Sequence, residues 1–336
     1  MDYKLMQIAK ETQNITRLGY YNVNNERIEL LKVKNMEFSL VEAFSSEILR
    51  RFYANIYLPE LSKQKAQYAK IKVIEKDSFE AARDYINPLV MNFASATHKG
   101  GGFLKGSHAQ EESLCRCSTL YASLTDENAQ QYYEYNRSLH SPLYSDYMLL
   151  SPNVCVFRNA RLNLLQKPYN VAVATVPAPN LRTIHVAQAE LTLLMLKRIR
   201  LFLSMAAQKG YKNLILGAWG CGAFRHNPYD VAKYFHKVLL DEGFAALFDN
   251  IVFAIVKNND NLTAFRKVLS ERNSNALDAM RIKENLEITD ALFKIESIVN
   301  TKCSRCNNLL GCLGCNLNDL KQDIEHAKEM MKAYDA

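Results

Sequence analysis

Residues Gly100–Glu112 read GGGFLKGSHAQEE. Three consecutive glycines cost folding entropy, so a chain keeps them where the backbone passes close to another group or adopts a positive φ. The preceding segment Leu89–Ser95 is apolar and predicts a short buried strand. In Ala109–Tyr121 the apolar residues recur three to four positions apart, which predicts a helix. In a strand, glycine loop and helix of this kind, free backbone N–H groups and the helix dipole favour an anion such as phosphate.

Gln110, Glu111 and Glu112 are predicted to lie in the first turn of that helix. Two adjacent carboxylates would repel a phosphate, so at least one of them is expected to hold sugar hydroxyls or to transfer a proton. A purely structural interpretation remains open, because acidic residues in a first turn also pair with the helix dipole and a glycine run can be a surface loop.

A second glycine-rich loop, GAWGCGAF at Gly217–Phe224, follows the predicted strand Asn213–Leu216. Asn227 as N-cap and Pro228 at the first helical position predict that a helix begins directly after it. Two such loops, each following a strand, predict the two sides of one crevice. Cys221 lies in this loop without a histidine at a recognisable motif distance, so we interpret it as a small packed residue rather than a nucleophile.

The rest of the chain alternates between predicted helices and strands, which indicates an α/β fold. The further predicted strands are Ile71–Ile74, Val154–Phe157, Val171–Val176 and Asn250–Val256. Of the further predicted helices, one ends near Gly19 and another begins after Asp77 or Ser78 as its N-cap. The others run through Met36–Tyr57, Gln188–Gln208 and Leu262–Leu269. A turn is expected at Asn22–Asn25 and a loop at Pro177–Asn180. The tyrosines at 132, 133, 135 and 144 are expected to pack against neighbouring elements, with stacking on a ligand as the alternative.

Four cysteines near the C-terminus form the pattern CxxC-x5-CxxC, after a charged segment predicted to be helical at Ser270–Val299. They are Cys303, Cys306, Cys312 and Cys315. Two CxxC pairs place thiolates on tight turns and predict a structural zinc site, although the spacer is shorter than usual. Free thiols and iron–sulfur ligation are the alternatives.

Composition and charge are those of a globular protein: 48% of the 336 residues are hydrophobic and 23% are charged. The net charge of +7 suits a partner that carries phosphates. The first residues lack the apolar run of a signal peptide, and no stretch is long and apolar enough to cross a bilayer. We therefore expect a soluble, intracellular protein without a membrane partner, whose eight cysteines are thiols or metal ligands.

The pattern of three glycines, seven further residues and Gln-Glu-Glu resembles the signature of the poly(ADP-ribose) glycohydrolases. The flanking sequences resemble the bacterial and fungal type of this family: they are NFASA at Asn92–Ala96 and ESL at Glu112–Leu114. Family members often have proline where Lys99 stands and aspartate where Asn227 stands. The resemblance implies a macrodomain-like three-layer αβα fold with a mixed central sheet and a helical N-terminal extension. It covers most of residues 1–270, which we expect to form the catalytic domain, with 271–336 as a small Cys-rich C-terminal extension.

The resemblance also implies the chemistry, which is hydrolysis of ribose–ribose O-glycosidic bonds in poly(ADP-ribose) without a cofactor. Neighbouring helical residues point about 100° apart, so Glu111 and Glu112 cannot easily flank one bond, and one of them does most of the proton transfer. By the family's pattern that residue is Glu112, while Glu111 holds ribose hydroxyls. The substrate-binding residues implied are Asn92, Gly100, Gly101, Gly102, Gln110, Gly220, Cys221, Gly222, Ala223 and Phe224.

Several functions stay open at this point. The same pocket could remove single ADP-ribose units from protein or nucleic acid. A non-catalytic ADP-ribose reader would need no acidic pair, but it remains an alternative, as does a nucleotide binder outside the macrodomain class. The expected partners are ADP-ribose, poly(ADP-ribose) and ADP-ribosylated proteins, and direct binding of nucleic acid is not decided by the sequence.

Overall fold

The computed structural model describes residues 2–32, 37–56, 69–256 and 259–270. Its strands are β1 Tyr20–Val23, β2 Glu26–Glu29, β3 Glu42–Phe44, β4 Lys70–Ile74, β5 Pro88–Ala94, β6 Met148–Arg158, β7 Leu164–Pro177, β8 Asn213–Leu216 and β9 Asn250–Ala254. The first two form a separate hairpin, and the others form a sheet in the order β3-β6-β7-β5-β8-β9-β4. Strands β7, β5, β8, β9 and β4 run parallel, whereas β6 is antiparallel to β7 and β3 is antiparallel to β6. The sheet is therefore mixed, as expected.

Helices pack on both faces of this sheet. They are α1 Tyr3–Leu18, α2 Ser46–Ala54, α3 Ser78–Ala82, α4 Gln110–Cys117, α5 Leu120–Thr125, α6 Gln130–Ser138, α7 Gln188–Gln208, α8 Pro228–His236 and α9 Asn259–Ser270. The central strand β5 is buried almost along its whole length, since both faces of a parallel sheet are covered by helices. The predicted three-layer α/β fold is confirmed.

Several local predictions hold. Helix α1 ends at Gly19, which has a φ of 79°, and the hairpin turn has positive φ at Asn24 and Asn25. Asp77 caps α3 by accepting hydrogen bonds from two backbone N–H groups, those of Phe79 at 2.9 Å and Glu80 at 3.0 Å. The long helix α7 has the predicted bounds.

The predicted helix at Ala109–Tyr121 is wrong in one respect, because the structure divides it into α4 and α5. Ser118 is extended and forms an isolated bridge with Val156. Next to it, the Thr119 N–H donates to the Cys155 carbonyl at 3.0 Å, and the Cys155 N–H donates to the Thr119 hydroxyl oxygen at 3.0 Å. Pairing with β6 thus outweighs the helical periodicity of the segment.

The predicted helix at Met36–Tyr57 is also wrong over its first part. The backbone at Glu42–Phe44 pairs with β6 at the edge of the main sheet, and the helix begins only at Ser46. Ser45 caps it by accepting from the Ile48 N–H at 3.4 Å. The N-terminal part is therefore not wholly helical, because it contributes a hairpin and an edge strand.

In the part of the chain that the structure describes, no helix is long and apolar enough to cross a membrane. The predicted helix at Ser270–Val299, apart from Ser270 at the end of α9, lies outside the described residues, as does the cluster Cys303, Cys306, Cys312 and Cys315. The division into a catalytic domain and a C-terminal extension consequently stays a prediction.

Candidate active site

Parallel pairing brings the loops after β5, β7 and β8 to one edge of the sheet. Asn92 on β5 lies opposite Thr175 on β7, and Val90 on β5 lies opposite Ile215 on β8. The triglycine loop follows β5 and the second glycine loop follows β8. The predicted crevice is thus formed at the carboxyl edge, where α/β sheets generally bind ligands.

Gln110 fixes the first turn of α4 to β5. Its side-chain carbonyl accepts from the Phe93 N–H at 2.9 Å, and its amide donates to the Met91 carbonyl at 2.9 Å and the Ser78 hydroxyl at 3.1 Å. Both ends of the amide are therefore bonded to the protein. These bonds fix the start of α4, which carries the two glutamates that follow, and substrate binding by Gln110 stays a prediction.

Glu111 is almost fully buried, and each of its carboxylate oxygens already has a donor. Oε1 accepts from Asn92 Nδ2 at 3.3 Å, and Oε2 accepts from the Ser95 N–H at 2.8 Å. Burial raises the pKa of Glu111 to about 8, aided by the charge of Glu112 and opposed by the two hydrogen bonds. This carboxyl group therefore retains a proton at a pH where an exposed glutamate is ionised.

Glu112 is buried as well, but its two oxygens differ. Oε1 accepts from the Gly102 N–H at 2.7 Å. Oε2 is buried and has no hydrogen-bond partner among the described residues. A buried carboxyl oxygen without a partner costs free energy, and such groups are retained where a substrate or water uses them.

The triglycine packs directly against these carboxyl groups. A Cβ on Gly101 would stand 2.5 Å from Glu112 Oε1 and 3.0 Å from Glu111 Oε2, and one on Gly102 would meet the Ser107 hydroxyl at 2.1 Å. The N–H of Gly101 donates to the His98 carbonyl at 3.0 Å, and that of Gly102 is held by Glu112. Diphosphate binding by Gly100, Gly101 and Gly102 stays a prediction: the N–H groups of Gly101 and Gly102 are bonded within the protein, and that of Gly100 has no acceptor among the described residues.

The second glycine loop has three successive free N–H donors, whereas in the triglycine only the Gly100 N–H has no acceptor among the described residues. Trp219 anchors it, since its indole N–H donates to the Val176 carbonyl at 3.1 Å. Among the described residues, the N–H groups of Gly222, Ala223 and Phe224 have no acceptor. A Cβ on Gly222 would meet nothing within 4 Å, so this side of the loop is open. Successive unpaired N–H groups at a strand end suit a phosphate.

An aromatic wall adjoins this loop. Phe224 and Tyr144 are both partly buried, and their ring centroids are 6.2 Å apart. Of the other tyrosines in this segment, Tyr132 and Tyr133 are fully buried and pack in the core as expected, whereas Tyr135 is 44% exposed. The pKa of Cys221 is raised to about 12, mainly by burial, so its sulfur is a thiol at neutral pH and the interpretation as a packed residue gains support.

Some residues of the site carried little sequence signal. Thr175 accepts from Asn92 Nδ2 at 3.2 Å, yet in the sequence it is only a polar residue within an apolar strand. His226 Nε2 lies 2.7 Å from the Pro179 carbonyl, and its ring lies against Gly220, where a Cβ would approach within 2.7 Å. Burial lowers the pKa of His226, so the ring is neutral and donates to that carbonyl. His226 thereby links the second glycine loop to the loop after β7.

Within the described ranges, no group of three or more His, Cys, Asp or Glu side chains could hold a metal ion. The site at the carboxyl edge consists of a carboxyl pair, a glycine loop with free donors and an aromatic wall. This arrangement can bind a diphosphate and move a proton beside it.

Comparison with known proteins gives the family. The family model "Microbial-type PARG, catalytic domain" matches residues 9–159. No curated protein matches the chain significantly. Among solved structures, the poly(ADP-ribose) glycohydrolase of Thermomonospora curvata is 34% identical with a TM-score of 0.73, and the match covers 80% of this chain and 100% of that one.

Two related structures contain ligands. The Thermomonospora curvata enzyme bound to the inhibitor ADP-HPD is 34% identical with a TM-score of 0.71, covering 79% of this chain and 99% of that one. The Deinococcus radiodurans poly(ADP-ribose) glycohydrolase in complex with ADP-ribose is 36% identical with a TM-score of 0.62, covering 69% and 95%. The resemblance seen in the signature is thereby confirmed, and an unrelated nucleotide binder is excluded. The chain belongs to the microbial-type poly(ADP-ribose) glycohydrolase family.

Proposed function

We propose that this protein hydrolyses the ribose–ribose O-glycosidic bonds of poly(ADP-ribose) and releases ADP-ribose, with Glu112 as the residue that transfers the proton. The observation that carries the assignment is the buried Glu112 Oε2, which has no partner among the described residues. Both oxygens of Glu111 are bonded to donors of the protein, so Glu111 is less free to exchange a proton with substrate.

The two carboxyl groups have different roles. Both lie against Gly101, and burial raises the pKa of Glu111 to about 8, so Glu111 holds a proton near neutral pH. The proposed proton donor is Glu112, because its Oε2 is the carboxyl oxygen without a partner among the described residues. Glu112 then protonates the leaving ribose oxygen and, as a carboxylate, takes a proton from the attacking water.

The second glycine loop is the proposed binding site for the diphosphate of the terminal unit. Gly222, Ala223 and Phe224 offer unpaired N–H groups, and the open face at Gly222 lets a phosphate approach the backbone. Phe224 and Tyr144 form the wall beside it. A diphosphate held near the reacting carbon would also steady the positive charge that develops there.

A second candidate is removal of single ADP-ribose units from modified proteins, which would use the same pocket. ADP-ribosylated proteins are proposed partners in either case. A pure reader is disfavoured, because burying two carboxyl groups is costly and recognition of a diphosphate does not require them.

Incubation with labelled poly(ADP-ribose) and with mono-ADP-ribosylated protein, side by side, tests the assignment. We expect rapid release of ADP-ribose from the polymer and slow or no release from the protein carrying single units. Preferential release from the mono-modified protein would overturn the polymer assignment in favour of the second candidate.

The C-terminal part and the location of the protein complete the proposal. We assign residues 271–336 to an extension that is separate from catalysis, with a structural zinc on its four cysteines, because two CxxC pairs are a common zinc-binding pattern. In the described part of the chain Cys115, Cys117, Cys155 and Cys221 are free thiols, which favours a reducing, intracellular compartment.

A further inference from the structure

Two cations lie where α6 contacts the segment Thr97–Lys99 that leads from β5 into the triglycine. Arg137 Nη1 donates to the Thr97 carbonyl at 3.1 Å. Lys99 Nζ lies over the Tyr133 ring, 5.9 Å from its centroid. Tyr133 and Arg137 are four residues apart on α6 and therefore share a face of the helix. Lys99 and Arg137 thus belong to one surface, which we name the α6 cation patch.

The charges of the α6 cation patch are not neutralised within the described part of the chain, where neither residue forms an ion pair. The ammonium of Lys99 makes one long contact, 3.5 Å to the Thr125 carbonyl. Of the acidic neighbours along the chain, Asp126 accepts from the Asn128 N–H and side-chain amide, and Glu134 accepts from a glutamine. An ammonium has three N–H donors and a guanidinium five, so several donors stay free.

The patch lies close to the reacting carboxyl groups. Lys99 precedes Gly101 by two residues, and Gly101 packs on both Glu111 and Glu112. Consecutive Cα atoms are about 3.8 Å apart, so the Cα atoms of Lys99 and Gly101 are at most about 8 Å apart. Tyr133 lies beneath Lys99, and its pKa is raised mainly by burial and next by the charge of Glu111. The effect of Glu111 on Tyr133 is a further sign that the patch and the site are neighbours.

The chemistry of the polymer identifies the ligand. The bond to be cleaved joins the distal ribose of the terminal unit to the adenosine ribose of the next unit, and the 5′ carbon of that second ribose carries another diphosphate. The second glycine loop follows the neighbouring strand β8 and offers its donors to the terminal unit. We propose that Lys99 and Arg137 bind the diphosphate of the next unit, on the leaving-group side of the scissile bond. This subsite rests on the proposed function.

The test uses a dimer of ADP-ribose, the smallest substrate that has both the scissile bond and the second diphosphate. In the full-length double variant Lys99→Ala/Arg137→Ala we expect KM for the dimer to rise about tenfold, since two exposed charge contacts are lost. We expect kcat and the rise in Tm caused by ADP-ribose to stay as in the wild type. KM should also depend less steeply on salt concentration, because fewer phosphate charges are neutralised.

Two matched variants separate charge from structure. Lys99→Arg/Arg137→Lys keeps both charges and should retain the wild-type KM. Lys72→Ala/Arg161→Ala removes the same charges from exposed positions on β4 and in the β6–β7 turn and should change nothing. Binding of the dimer to Glu112→Gln protein, with and without the alanine pair, gives the same comparison without turnover.

An unchanged affinity for the dimer in the alanine double variant would overturn the subsite. A loss of the ADP-ribose-induced Tm shift as marked as the loss of dimer affinity would also overturn the subsite. The cations would then bind the terminal unit or hold the loop. Failure of the wild-type protein to cleave the dimer would instead contradict the proposed function, and the binding comparison would still decide the subsite.

Discussion

Glu111 and Glu112 are neighbours in the chain, but their hydrogen bonds give them different tasks. Glu111 accepts from Asn92 and from the Ser95 N–H, whereas Glu112 accepts from the Gly102 N–H through one oxygen only. The sequence alone could show that one carboxyl group does most of the proton transfer, because adjacent helical residues diverge. It could not show which oxygen is free, since that depends on donors from β5 and the triglycine.

The raised pKa of Glu111 predicts a pH-dependent stability. Its folded-state pKa is about 8 and its ordinary value is 4.5, so the folded protein holds this proton more tightly than the unfolded chain. The contribution to stability is complete below about pH 4.5 and is lost as the pH rises through about 8, at up to about 1.4 kcal/mol per pH unit. Glu111→Gln removes the titrating group and should flatten this part of the profile.

Denaturant unfolding of wild type and Glu111→Gln between pH 5 and 9 measures the effect. We expect the variant to gain stability relative to the wild type as the pH rises. A difference in unfolding free energy that stays constant over this range would show that Glu111 titrates normally.

At the scale of elements, the two strand–loop–helix units have the same outline and different functions. Their strands, caps and glycines could be predicted from local signals such as Asn227 and Pro228, which the structure confirms as the start of α8. Which N–H groups are free could not be predicted, because the Gly102 N–H is taken by a tertiary contact with Glu112 and the Gly101 N–H by the His98 carbonyl. The same cause divides the predicted helix at Ala109–Tyr121, where Ser118 pairs with β6.

Substitutions at one glycine of each loop should therefore have different effects. A Cβ at Gly222 meets no protein atom within 4 Å, so Gly222→Val should leave the Tm nearly unchanged and abolish the rise in Tm caused by ADP-ribose. At Gly101, where φ is 58° and a Cβ would displace Glu112, Gly101→Ala should reduce hydrolysis at least tenfold and lower the Tm.

Thermal unfolding with and without ADP-ribose, together with a polymer hydrolysis assay, separates these outcomes. Gly222→Ala is the graded control, and it should weaken the binding of ADP-ribose less than Gly222→Val does. A Gly222→Val protein that keeps the full ligand shift would remove the second loop from the diphosphate site.

For the whole molecule, the order of strands decides which loops meet. The alternation of helices and strands predicted an α/β fold, and parallel pairing of β5 with β7 and β8 brings the predicted loops to one edge. The edge strand β3 was missed because its few residues continue the apolar periodicity of the helix that follows it. The cation patch was missed for another reason, since Lys99 and Arg137 are brought to one surface only by the contacts of α6 with Thr97 and Lys99.

The C-terminal extension should be separable from catalysis. We expect the full-length protein, purified under reducing conditions, to contain about one zinc per chain, held by four thiolates with no open position for substrate. A chain truncated after Ser270 should lack the metal and still hydrolyse free poly(ADP-ribose). Elemental analysis and the hydrolysis assay check this, with a Cys303→Ser/Cys306→Ser variant of the full chain as control.

Absence of metal from the full-length protein would favour free thiols. Loss of all hydrolysis in a truncated chain that still unfolds cooperatively would place the extension within the active domain.

The role of Glu112 is tested most directly by poly(ADP-ribose) hydrolysis in Glu112→Gln. The amide keeps the shape of the side chain and can still accept from the Gly102 N–H, but the NH2 group in place of Oε2 has no acidic proton to transfer. We predict a loss of turnover of about 10²–10⁴-fold, with the rise in Tm caused by ADP-ribose retained. A Glu112→Gln protein with wild-type turnover would contradict the mechanism.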